Sequence, residues 1–136
     1  MPFVSEKLIR FHHCDPAGIV FYPQYFVLMN ELVEDWFDRR LCVPFAELHQ
    51  RDRLGVPMGR VECDFLEPSK IGDVVAFELG VERLGNASIL VVVTGRAGDE
   101  VRLKARLTLV FASLETRRAV RIPDDLRAAM SRDLVA

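Results

Sequence analysis

The 136-residue sequence predicts an α+β fold, in which an antiparallel sheet of about five strands curls around one long central helix and a short helix ends the chain. Two observations lead to this prediction. One segment after residue 22 repeats apolar residues at the three- and four-residue spacing of a helical face. Several later segments alternate apolar and polar residues with the period of two that is typical of strands. A sheet curled around one apolar helix buries the apolar faces of both.

The first third of the chain predicts one strand, one loop and the long helix. The strand is expected over Phe3–Phe11 and the loop over His12–Phe21, where a proline and a glycine interrupt any regular pattern. Pro23 suits the first turn of a helix, because the N–H group that proline lacks would have no partner there. We expect the helix over Tyr25–Phe37, with Trp36 shared with a partner subunit. Its apolar stripe consists of Tyr25, Phe26, Leu28, Met29, Leu32, Val33, Trp36 and Phe37.

The rest of the chain predicts consecutive antiparallel strands joined by tight turns. In the clearest strand, apolar residues alternate with Arg102, Lys104 and Arg106, which we interpret as a solvent-exposed face. No repeat or linker interrupts the order, so a single domain over residues 1–136 is expected. The predicted elements are strands over Val61–Leu66, Val74–Leu84, Ser88–Ala97 and Val101–Leu114, an edge segment over Arg117–Ile122, and a helix over Asp125–Met130.

Composition and charge narrow the class of protein. Hydrophobic residues make up 50% of the chain and charged residues 28%, which is typical of a globular domain. The net charge of −2 provides no basic footprint for a nucleic-acid partner. No apolar run reaches the ~18 residues of a membrane-spanning helix, so no membrane partner is expected. The scattered Cys14, Cys42 and Cys63, and a start without a signal pattern, favour a reducing, cytoplasmic location.

The loop before the long helix combines the groups that thioester hydrolysis needs. Asp15 supplies a carboxylate, and the small residues Ala17 and Gly18 let a ligand approach the backbone closely. The helix that follows begins with free N–H groups, which can stabilise the oxyanion that forms when a carbonyl is attacked. Because a thiolate leaves readily, one carboxylate and such donors suffice without a catalytic triad. Asp15 can equally serve to cap a turn, because aspartate before Pro and Gly is a common turn sequence.

Two segments resemble a known family of enzymes. The sequence Asp-Pro-Ala-Gly-Ile-Val-Phe-Tyr-Pro-Gln-Tyr at positions 15–25 is similar to the signature of the 4-hydroxybenzoyl-CoA thioesterase family, and the apolar helix after it resembles that family's central helix. The segments 64–68 (Asp-Phe-Leu-Glu-Pro) and 71–73 (Ile-Gly-Asp) resemble the family's second landmark, a strand that ends before a Gly-Asp turn. The resemblance extends from Val4 to Leu114.

This resemblance implies a hot-dog fold, a homo-oligomer (a dimer or a tetramer) with active sites at subunit interfaces, and an acyl-CoA substrate. CoA is part of that substrate, so no separate cofactor is expected. By its position in the signature, Asp15 corresponds to the catalytic carboxylate, which acts as nucleophile or as general base. Tyr22 corresponds to the residue whose backbone N–H polarises the thioester carbonyl. Arg83 is the cation in the region where the family carries a basic cluster that helps to hold the nucleotide.

Further substrate-binding residues are expected around the same loop. We predict that Gly18 and Phe21 contact the substrate, with the Phe21 N–H as a second oxyanion donor. His13 is expected either beside Asp15 or on the surface, and the sequence does not separate these alternatives. Met58 precedes the second strand and is expected in the acyl pocket, near the helix start of a partner subunit.

Several functions stay open on the sequence. An aromatic acyl group similar to 4-hydroxybenzoyl is the first expectation, and short or branched aliphatic acyl groups are the second. A non-catalytic acyl-CoA-binding module would carry the same residues without turnover. A hot-dog hydratase is disfavoured, because the helix over Tyr25–Phe37 contains no histidine. No metal site is expected, since His12, His13, Cys14 and Asp15 are adjacent and point to opposite faces of an extended segment.

Overall fold

The computed structural model of the protein describes residues 2–135, so residues 1 and 136, the ends of the predicted domain, lie outside the described residues. The strands are β1 (Phe3–Leu8), β2 (Leu54–Gly55), β3 (Met58–Phe65), β4 (Val74–Leu84), β5 (Ser88–Ala97), β6 (Glu100–Val110) and β7 (Ala112–Ser113), and the helices are α1 (Tyr22–Asp35), α2 (Phe45–Gln50) and α3 (Asp124–Ser131). Five strands form an antiparallel sheet in the order β1-β4-β5-β6-β3, and β2 pairs with β7. The predicted α+β fold is confirmed. Among the described residues, no helix has both the length and the apolar character needed to span a membrane.

The central helix α1 is buried on the face that its sequence predicts. Pro23 lies in the first turn, as expected, but the helix begins at Tyr22 rather than at Tyr25. The fixed φ of proline is already helical, so the turn that contains it belongs to the helix. The chain then continues as a π-helical turn over Trp36–Arg40. The buried residues of the two segments are Tyr25, Leu28, Met29, Leu32, Val33, Trp36 and Phe37.

The segment after α3 covers the far end of the central helix. Asp133 is buried there, and its Oδ2 accepts a hydrogen bond from the Trp36 Nε1 at 2.9 Å. Trp36 is fully buried within its own chain. The expectation that a partner subunit shares Trp36 is therefore wrong. A buried indole N–H needs an acceptor, and the C-terminal segment of the same chain provides it.

The predicted alternation in the sheet is confirmed on its inner face. Strands β4 and β5 have the predicted bounds, and every second residue is buried from Val75 to Val81 and from Ile89 to Gly95. The register of β5 on β6 aligns the two alternating patterns, so that buried residues lie opposite one another. The fully buried residues that face α1 are Val75, Phe77, Leu79, Val81, Ile89, Val91, Leu103, Leu107 and Leu109.

Strand β1 is shorter than the sequence predicts. It ends at Leu8 rather than at Phe11, because the Asp73 N–H, which would pair with Ile9 in register, donates to the Lys70 carbonyl at 3.0 Å instead. The chain then forms a 3₁₀ turn over Phe11–His13. This early end turns the following loop toward the start of α1.

The last predicted strand is interrupted. One strand is predicted over Val101–Leu114, but β6 ends at Val110 opposite Ser88 of β5, and after Phe111 the chain pairs with β2 as the separate strand β7. The predicted edge over Arg117–Ile122 is wrong as a strand, since it contributes one isolated bridge to β7. Helix α2 and strand β2 were not predicted, because both are too short to show a clear period.

Strand β3 forms one edge of the sheet, and its inner face is uncovered. Val61 pairs with Leu107 and Phe65 pairs with Leu103, so both share the face that β6 turns toward α1. The partners on β6 are buried, whereas Val61 is 41% exposed and Phe65 is 46% exposed. Helix α1 therefore covers the sheet only as far as β6, and an apolar row lies open along β3.

Candidate active site

Asp15 lies in a tight turn between β1 and α1. Its Oδ1 accepts a hydrogen bond from the Ala17 N–H at 2.9 Å, and its carbonyl accepts one from the Gly18 N–H at 2.9 Å. Gly18 has a φ of +84°, a conformation that residues with side chains rarely adopt. The Asp15 Oδ2 accepts no hydrogen bond from residues 2–135. The turn-capping interpretation of Asp15 is confirmed for one oxygen, and the other oxygen has no hydrogen-bond partner among the described residues.

Two backbone contacts fix this turn to the rest of the fold. The Asp15 N–H donates to the Ile19 carbonyl at 3.0 Å, which closes the turn on itself. The Val20 N–H donates to the Ser69 carbonyl at 2.8 Å, which ties the turn to the loop between β3 and β4. The position of Asp15 therefore depends on a segment that is distant in sequence.

The start of α1 leaves one N–H group without a partner. The Phe21 N–H donates to the His13 carbonyl at 2.9 Å, so the prediction that it is a second oxyanion donor is wrong. Pro23 has no N–H, and the Gln24 N–H donates to the Phe21 carbonyl at 2.8 Å. No side chain caps the helix, and the Tyr22 N–H forms no hydrogen bond within the described part of the chain. It is therefore the donor available at the positive end of the helix.

Asp15 and Tyr22 line the same cleft, which has a volume of about 620 Å³. Residues 19–22 form one wall and residues 65–68 form the other, with Tyr25 between them. A smaller cavity of about 370 Å³ adjoins the other side of Asp15 and includes Gly18. A cleft of this size suits a small acyl group, and it joins the free carboxylate oxygen to the free amide.

Aromatic side chains surround the cleft. We call Phe21, Tyr22, Tyr25, Phe26 and Phe65 the aromatic cluster. The ring centre of Phe65 lies 6.1 Å from Tyr22, 5.7 Å from Tyr25 and 6.1 Å from Phe26. Phe21 and Tyr22 are in edge-to-face contact at 5.6 Å. Such a cluster offers planar, polarisable surfaces to a flat ligand.

His13 is a buried residue that holds the beginning of the Asp15 turn. Its Nδ1 accepts a hydrogen bond from the Arg10 N–H at 2.8 Å, and its ring lies 4.0 Å from the ring of His12. Burial first, and then the neighbouring His12, lower the pKa of His13. The surface alternative for His13 is therefore wrong. His13 does not line the cleft, and its contact with the start of α1 is the hydrogen bond that its carbonyl accepts from the Phe21 N–H.

A polar network lies behind the wall formed by residues 65–68. The Arg102 guanidinium donates from one nitrogen to the Pro68 carbonyl at 3.2 Å, the Ser69 Oγ at 2.9 Å and the Asp73 Oδ2 at 2.8 Å. The hydrogen bond from Arg102 lowers the pKa of Asp73. The Arg102 side chain is only 12% exposed, so the prediction of a solvent-exposed strand face is wrong at this position.

Tyr25 joins the aromatic cluster to this network. It is 4% exposed, and its hydroxyl is buried without a hydrogen-bond partner among residues 2–135. Burial raises the pKa of Tyr25, while the neighbouring Ser69 and Arg102 act in the opposite direction. The ring lines the cleft while the hydroxyl points to the network behind it. The helical period of the sequence assigns Tyr25 to the core alone, so its contribution to the cleft was missed.

The structure brings some predicted site residues to the cleft and leaves others distant. Phe21 lines the cleft and Gly18 lines the adjoining cavity. Met58 begins β3 and Phe65 ends it, so Met58 lies ~23 Å from the cleft wall along the strand. Arg83 lies near the end of β4 that is remote from the cleft. Within one chain, neither Met58 nor Arg83 lines the cleft.

The second cleft wall and its support were missed by sequence reasoning. Residues 65–68 contain a signal that was used only as a family landmark, namely a Phe-Leu pair at a strand end, directly before a turn. Arg102 offers no such signal, because it alternates along its strand like Lys104 and Arg106, which are exposed. Its hydrogen bonds to Pro68, Ser69 and Asp73 join residues at least 29 positions apart.

Within the range 2–135, no three side chains of the types His, Cys, Asp and Glu are grouped so that they could hold a metal ion. Cys14, Cys42 and Cys63 are free thiols. Burial raises the pKa of Cys63 to about 11, so this thiol is protonated and poorly nucleophilic at neutral pH.

Comparison with known proteins places this geometry in a family. The sequence profile of the thioesterase-like superfamily matches residues 9–130. A 4-hydroxybenzoyl-CoA thioesterase from Pseudomonas sp. (strain CBS-3) is 27% identical over 128 residues, which cover 88% of this chain and 91% of the relative. A 1,4-dihydroxy-2-naphthoyl-CoA hydrolase from Prochlorococcus marinus (strain MIT 9303) is 25% identical over 128 residues, which cover 89% of this chain and 84% of the relative.

A solved structure agrees with the sequence comparison. The crystal structure of a thioesterase-superfamily protein from Jannaschia sp. CCS1 superimposes with a TM-score of 0.92 at 25% identity, covering 99% of this chain and 94% of that protein. The fold and the cleft define an acyl-CoA thioester hydrolase of the hot-dog type. This chain belongs to the thioesterase-like superfamily. The predicted family resemblance, fold and enzyme class are confirmed.

Proposed function

We propose that the protein hydrolyses an aromatic acyl-CoA, with Asp15 as the catalytic carboxylate and the Tyr22 N–H as the oxyanion donor. One observation carries this proposal. Asp15 and Tyr22 line the same cleft, and the Asp15 Oδ2 and the Tyr22 N–H have no hydrogen-bond partner among residues 2–135. Attack on a thioester needs both groups, because negative charge develops on the carbonyl oxygen while the carbon is attacked.

Two routes fit the Asp15 carboxylate. As a nucleophile, its oxygen bonds to the thioester carbon, the C–S bond breaks, CoA leaves as a thiolate, and water hydrolyses the mixed anhydride. As a general base, Asp15 takes a proton from a water molecule whose oxygen attacks the same carbon before the C–S bond breaks. Both routes yield the free acid and CoA. In both, the Tyr22 N–H stabilises the oxyanion, an interaction whose loss in other enzymes costs about 10²- to 10³-fold in rate.

The aromatic cluster supports an aromatic acyl group. Its rings surround the cleft at centroid distances of 5.6 to 6.4 Å from one another, which is the spacing of favourable aromatic contacts. Two relatives are named for the hydrolysis of hydroxybenzoyl and dihydroxynaphthoyl thioesters of CoA. Short or branched aliphatic acyl groups lack a flat face, so they would gain less from these walls.

The proposal includes a homo-oligomer, a dimer or a tetramer, with the cleft completed at a subunit interface. The uncovered apolar row on β3 supports it, since Met58, Val61 and Phe65 are all more than a third exposed on an edge strand. An edge strand has unpaired N–H and C=O groups that a second copy can satisfy. Antiparallel pairing of two β3 strands would bring Met58 of each copy toward the Phe65 end of the other.

Three further expectations belong to this proposal. Arg83 would contact the CoA portion outside the cleft, because it is an exposed cation at a strand end. No cofactor beyond the CoA of the substrate is needed by either route. A cytoplasmic location agrees with three scattered free cysteines, which are typical of a reducing compartment.

The test is thiol release from a panel of acyl-CoA thioesters. The panel contains hydroxylated benzoyl, phenylacetyl, short linear and branched acyl groups. We expect the aromatic thioesters to have the highest kcat/KM. Asp15→Asn is expected to reduce kcat at least about a hundredfold, because the amide can neither attack nor accept the proton. Asp125→Asn, a change of the same kind at an exposed site on α3, is expected to keep the wild-type rate.

The outcomes separate the alternatives. Full activity of Asp15→Asn would exclude Asp15 as the catalyst. Binding of CoA esters without thiol release by the wild type would support the non-catalytic module instead. Preference for aliphatic thioesters would overturn the aromatic assignment. In a rapid-quench single turnover, thiol release before free acid identifies the nucleophilic route, whereas simultaneous release identifies the general-base route.

A further inference from the structure

We infer that Arg102 is a positioning residue for the reaction, because it holds both walls of the cleft in place from behind. The inference rests on the proposed roles of Asp15 and Tyr22. Arg102 does not line the cleft, so it acts through the backbone segments that it binds. The contacts that carry the inference run from β6 to the loop after β3, and from that loop to the segment before α1.

The first contacts fix the wall formed by residues 65–68. The Arg102 carbonyl accepts hydrogen bonds from the Leu66 N–H at 2.8 Å and from the Glu67 N–H at 3.2 Å. Its guanidinium donates to the Pro68 carbonyl at 3.2 Å. One residue thus binds three consecutive residues of the cleft wall, through its backbone and its side chain together. The wall follows directly from the end of β3 and has no regular secondary structure of its own.

The second set of contacts reaches the wall that carries the oxyanion donor. The Arg102 guanidinium donates to the Ser69 Oγ at 2.9 Å, and Ser69 is fully buried. The Ser69 carbonyl in turn accepts the Val20 N–H at 2.8 Å. Val20 lies two residues before Tyr22, so the location of the free N–H depends on where Ser69 is held. An isolated bridge between Ile19 and the residue after Ser69 repeats this connection.

A β-bulge gives Arg102 its direction. In the pairing of β5 with β6, Gly95 lies opposite Leu103 and Arg96 lies opposite Val101, so Arg102 has no partner on β5. A bulge re-aims the side chain of the extra residue and is common next to active sites. Lys104, the next outward residue on β6, is paired regularly with Thr94 and is exposed. The bulge therefore explains why Arg102 departs from the solvent-exposed pattern of its strand.

The ion pair between Arg102 and Asp73 anchors the arrangement. The shortest distance between the two side chains is 2.8 Å, and their side chains are 12% and 20% exposed. The Asp73 Oδ2 also accepts the Lys70 N–H at 3.0 Å, so the carboxylate closes the turn that carries the loop. Arg106 offers a matched contrast on the same face of the same strand. Its ion pair with Glu82 measures 2.6 Å, but the Arg106 side chain is 49% exposed.

The test compares Arg102→Met with Arg106→Met, since each change removes one guanidinium from β6. For Arg102→Met we expect kcat to fall about 10- to 100-fold, because small displacements of reacting groups have effects of that size. We expect kcat and kcat/KM to fall together, which indicates that a transition-state interaction is lost. Hydrogen exchange of the Val20 amide is expected to accelerate in Arg102→Met. Arg106→Met is expected to keep both the wild-type kcat and the Val20 exchange rate.

The results that would overturn the inference are unchanged kcat in folded Arg102→Met, or a rise in KM alone. If Arg102→Met does not fold, Arg102→Lys takes its place, because lysine keeps the charge beside Asp73 but is one bond shorter. We expect Arg102→Lys to show the same loss of kcat, and full activity would overturn the inference. Failure of the proposed function is recognised separately, since it would leave Asp15→Asn fully active. Whether or not Asp15→Asn is active, the hydrogen-exchange rate of the Val20 amide shows whether Arg102 holds the cleft walls in place.

Discussion

Asp15 uses its two carboxylate oxygens differently. Oδ1 is engaged by the Ala17 N–H at 2.9 Å, whereas Oδ2 has no hydrogen-bond partner among residues 2–135, and the residue lines the cleft. The turn therefore fixes the orientation of the carboxylate to which we assign the reaction, which is the kind of preorganisation that catalysis requires. Asparagine in this position can still accept the Ala17 N–H through its own oxygen. Asp15→Asn is thus a change in chemistry rather than in turn geometry, and it is a better test than Asp15→Ala.

From the buried His13 we predict that the free energy of unfolding depends on pH. Its Nδ1 accepts the Arg10 N–H and must therefore be unprotonated, and burial and His12 lower its pKa while Glu31 opposes the shift. Unfolded chains bind this proton near pH 6.5, while the folded chain binds it only at lower pH. The unfolded state then holds more protons below pH 6.5, so the free energy of unfolding falls as the pH drops through this range. Urea titrations from pH 7 to 5 measure the loss.

The variant His13→Asn tests this assignment. An asparagine oxygen can accept the Arg10 N–H but does not titrate, so the variant should lack this part of the pH dependence. His12→Asn is the control and is expected to keep most of the loss, because burial is the largest cause of the shift in the His13 pKa. An unchanged acid-dependent loss in His13→Asn would show that another group is responsible.

At the scale of elements, the start of α1 is unusual because no side chain caps it. Phe21 occupies the N-cap position and makes no side-chain hydrogen bond to the helix, whereas Ser, Thr, Asp or Asn usually satisfies a free N–H there. The Phe21 N–H is used by the His13 carbonyl, and Pro23 removes another donor. The helix therefore presents the Tyr22 N–H to the cleft and to nothing else within the described residues. An exposed donor of this kind weakens the helix slightly but is available to an oxyanion.

Gly18, in the turn before α1, has a backbone conformation that makes its replacement by alanine testable. Its φ is +84°, and no neighbouring atom lies within 4 Å of the point that a Cβ would occupy, so Gly18→Ala should suffer from backbone strain alone. We expect a loss of about 1–2 kcal/mol in the free energy of unfolding, and a lower kcat because Asp15 is displaced. Gly98→Ala is the matched control, since Gly98 also has a positive φ and open space but lies in the β5–β6 turn. If Gly18→Ala and Gly98→Ala lose the same free energy of unfolding and also have the same kcat, the prediction that Gly18 positions Asp15 is contradicted.

At the scale of the whole molecule, the two edges of the sheet differ. On β1 the exposed residues Val4 and Leu8 are separated by Glu6, a charge of the kind that discourages edge-to-edge pairing. On β3 the face toward the helix side is apolar and uncovered, with Val61 and Phe65 open. Exposed apolar rows of this kind are typical of interaction sites. The asymmetry supports the proposal that a second copy covers β3 rather than β1.

Two valines test which edge associates. Val61 on β3 is 41% exposed and Val4 on β1 is 45% exposed, so Val61→Lys and Val4→Lys make the same change at the two edges. We expect Val61→Lys to sediment as a 15.5 kDa monomer and to lose activity, because a charge would be buried at the interface. Val4→Lys is expected to behave like the wild type. A monomeric wild type, or an oligomeric and active Val61→Lys, would contradict the proposal.

The amino-acid sequence by itself determined the elements whose pattern is local. The apolar stripe of α1, the period of β4 and β5, and the Asp15 turn are each encoded within a dozen neighbouring residues, and each was predicted with its correct type. The family signature over positions 15–25 likewise lies in one continuous segment. The shifted ends of β1 and β6 show the limit of local reasoning, because strands that are distant in sequence decide where the pairing of each one stops.

Only the tertiary structure decided how the site is assembled. Which N–H at the start of α1 is free depends on the His13 carbonyl, and the second cleft wall depends on where β3 ends against β6. The role of Arg102 depends on a bulge and on partners at least 29 positions away. The uncovered row on β3 depends on how far α1 extends across the sheet. These features arise from long-range pairing and from which faces are covered, and no local period of the sequence records either.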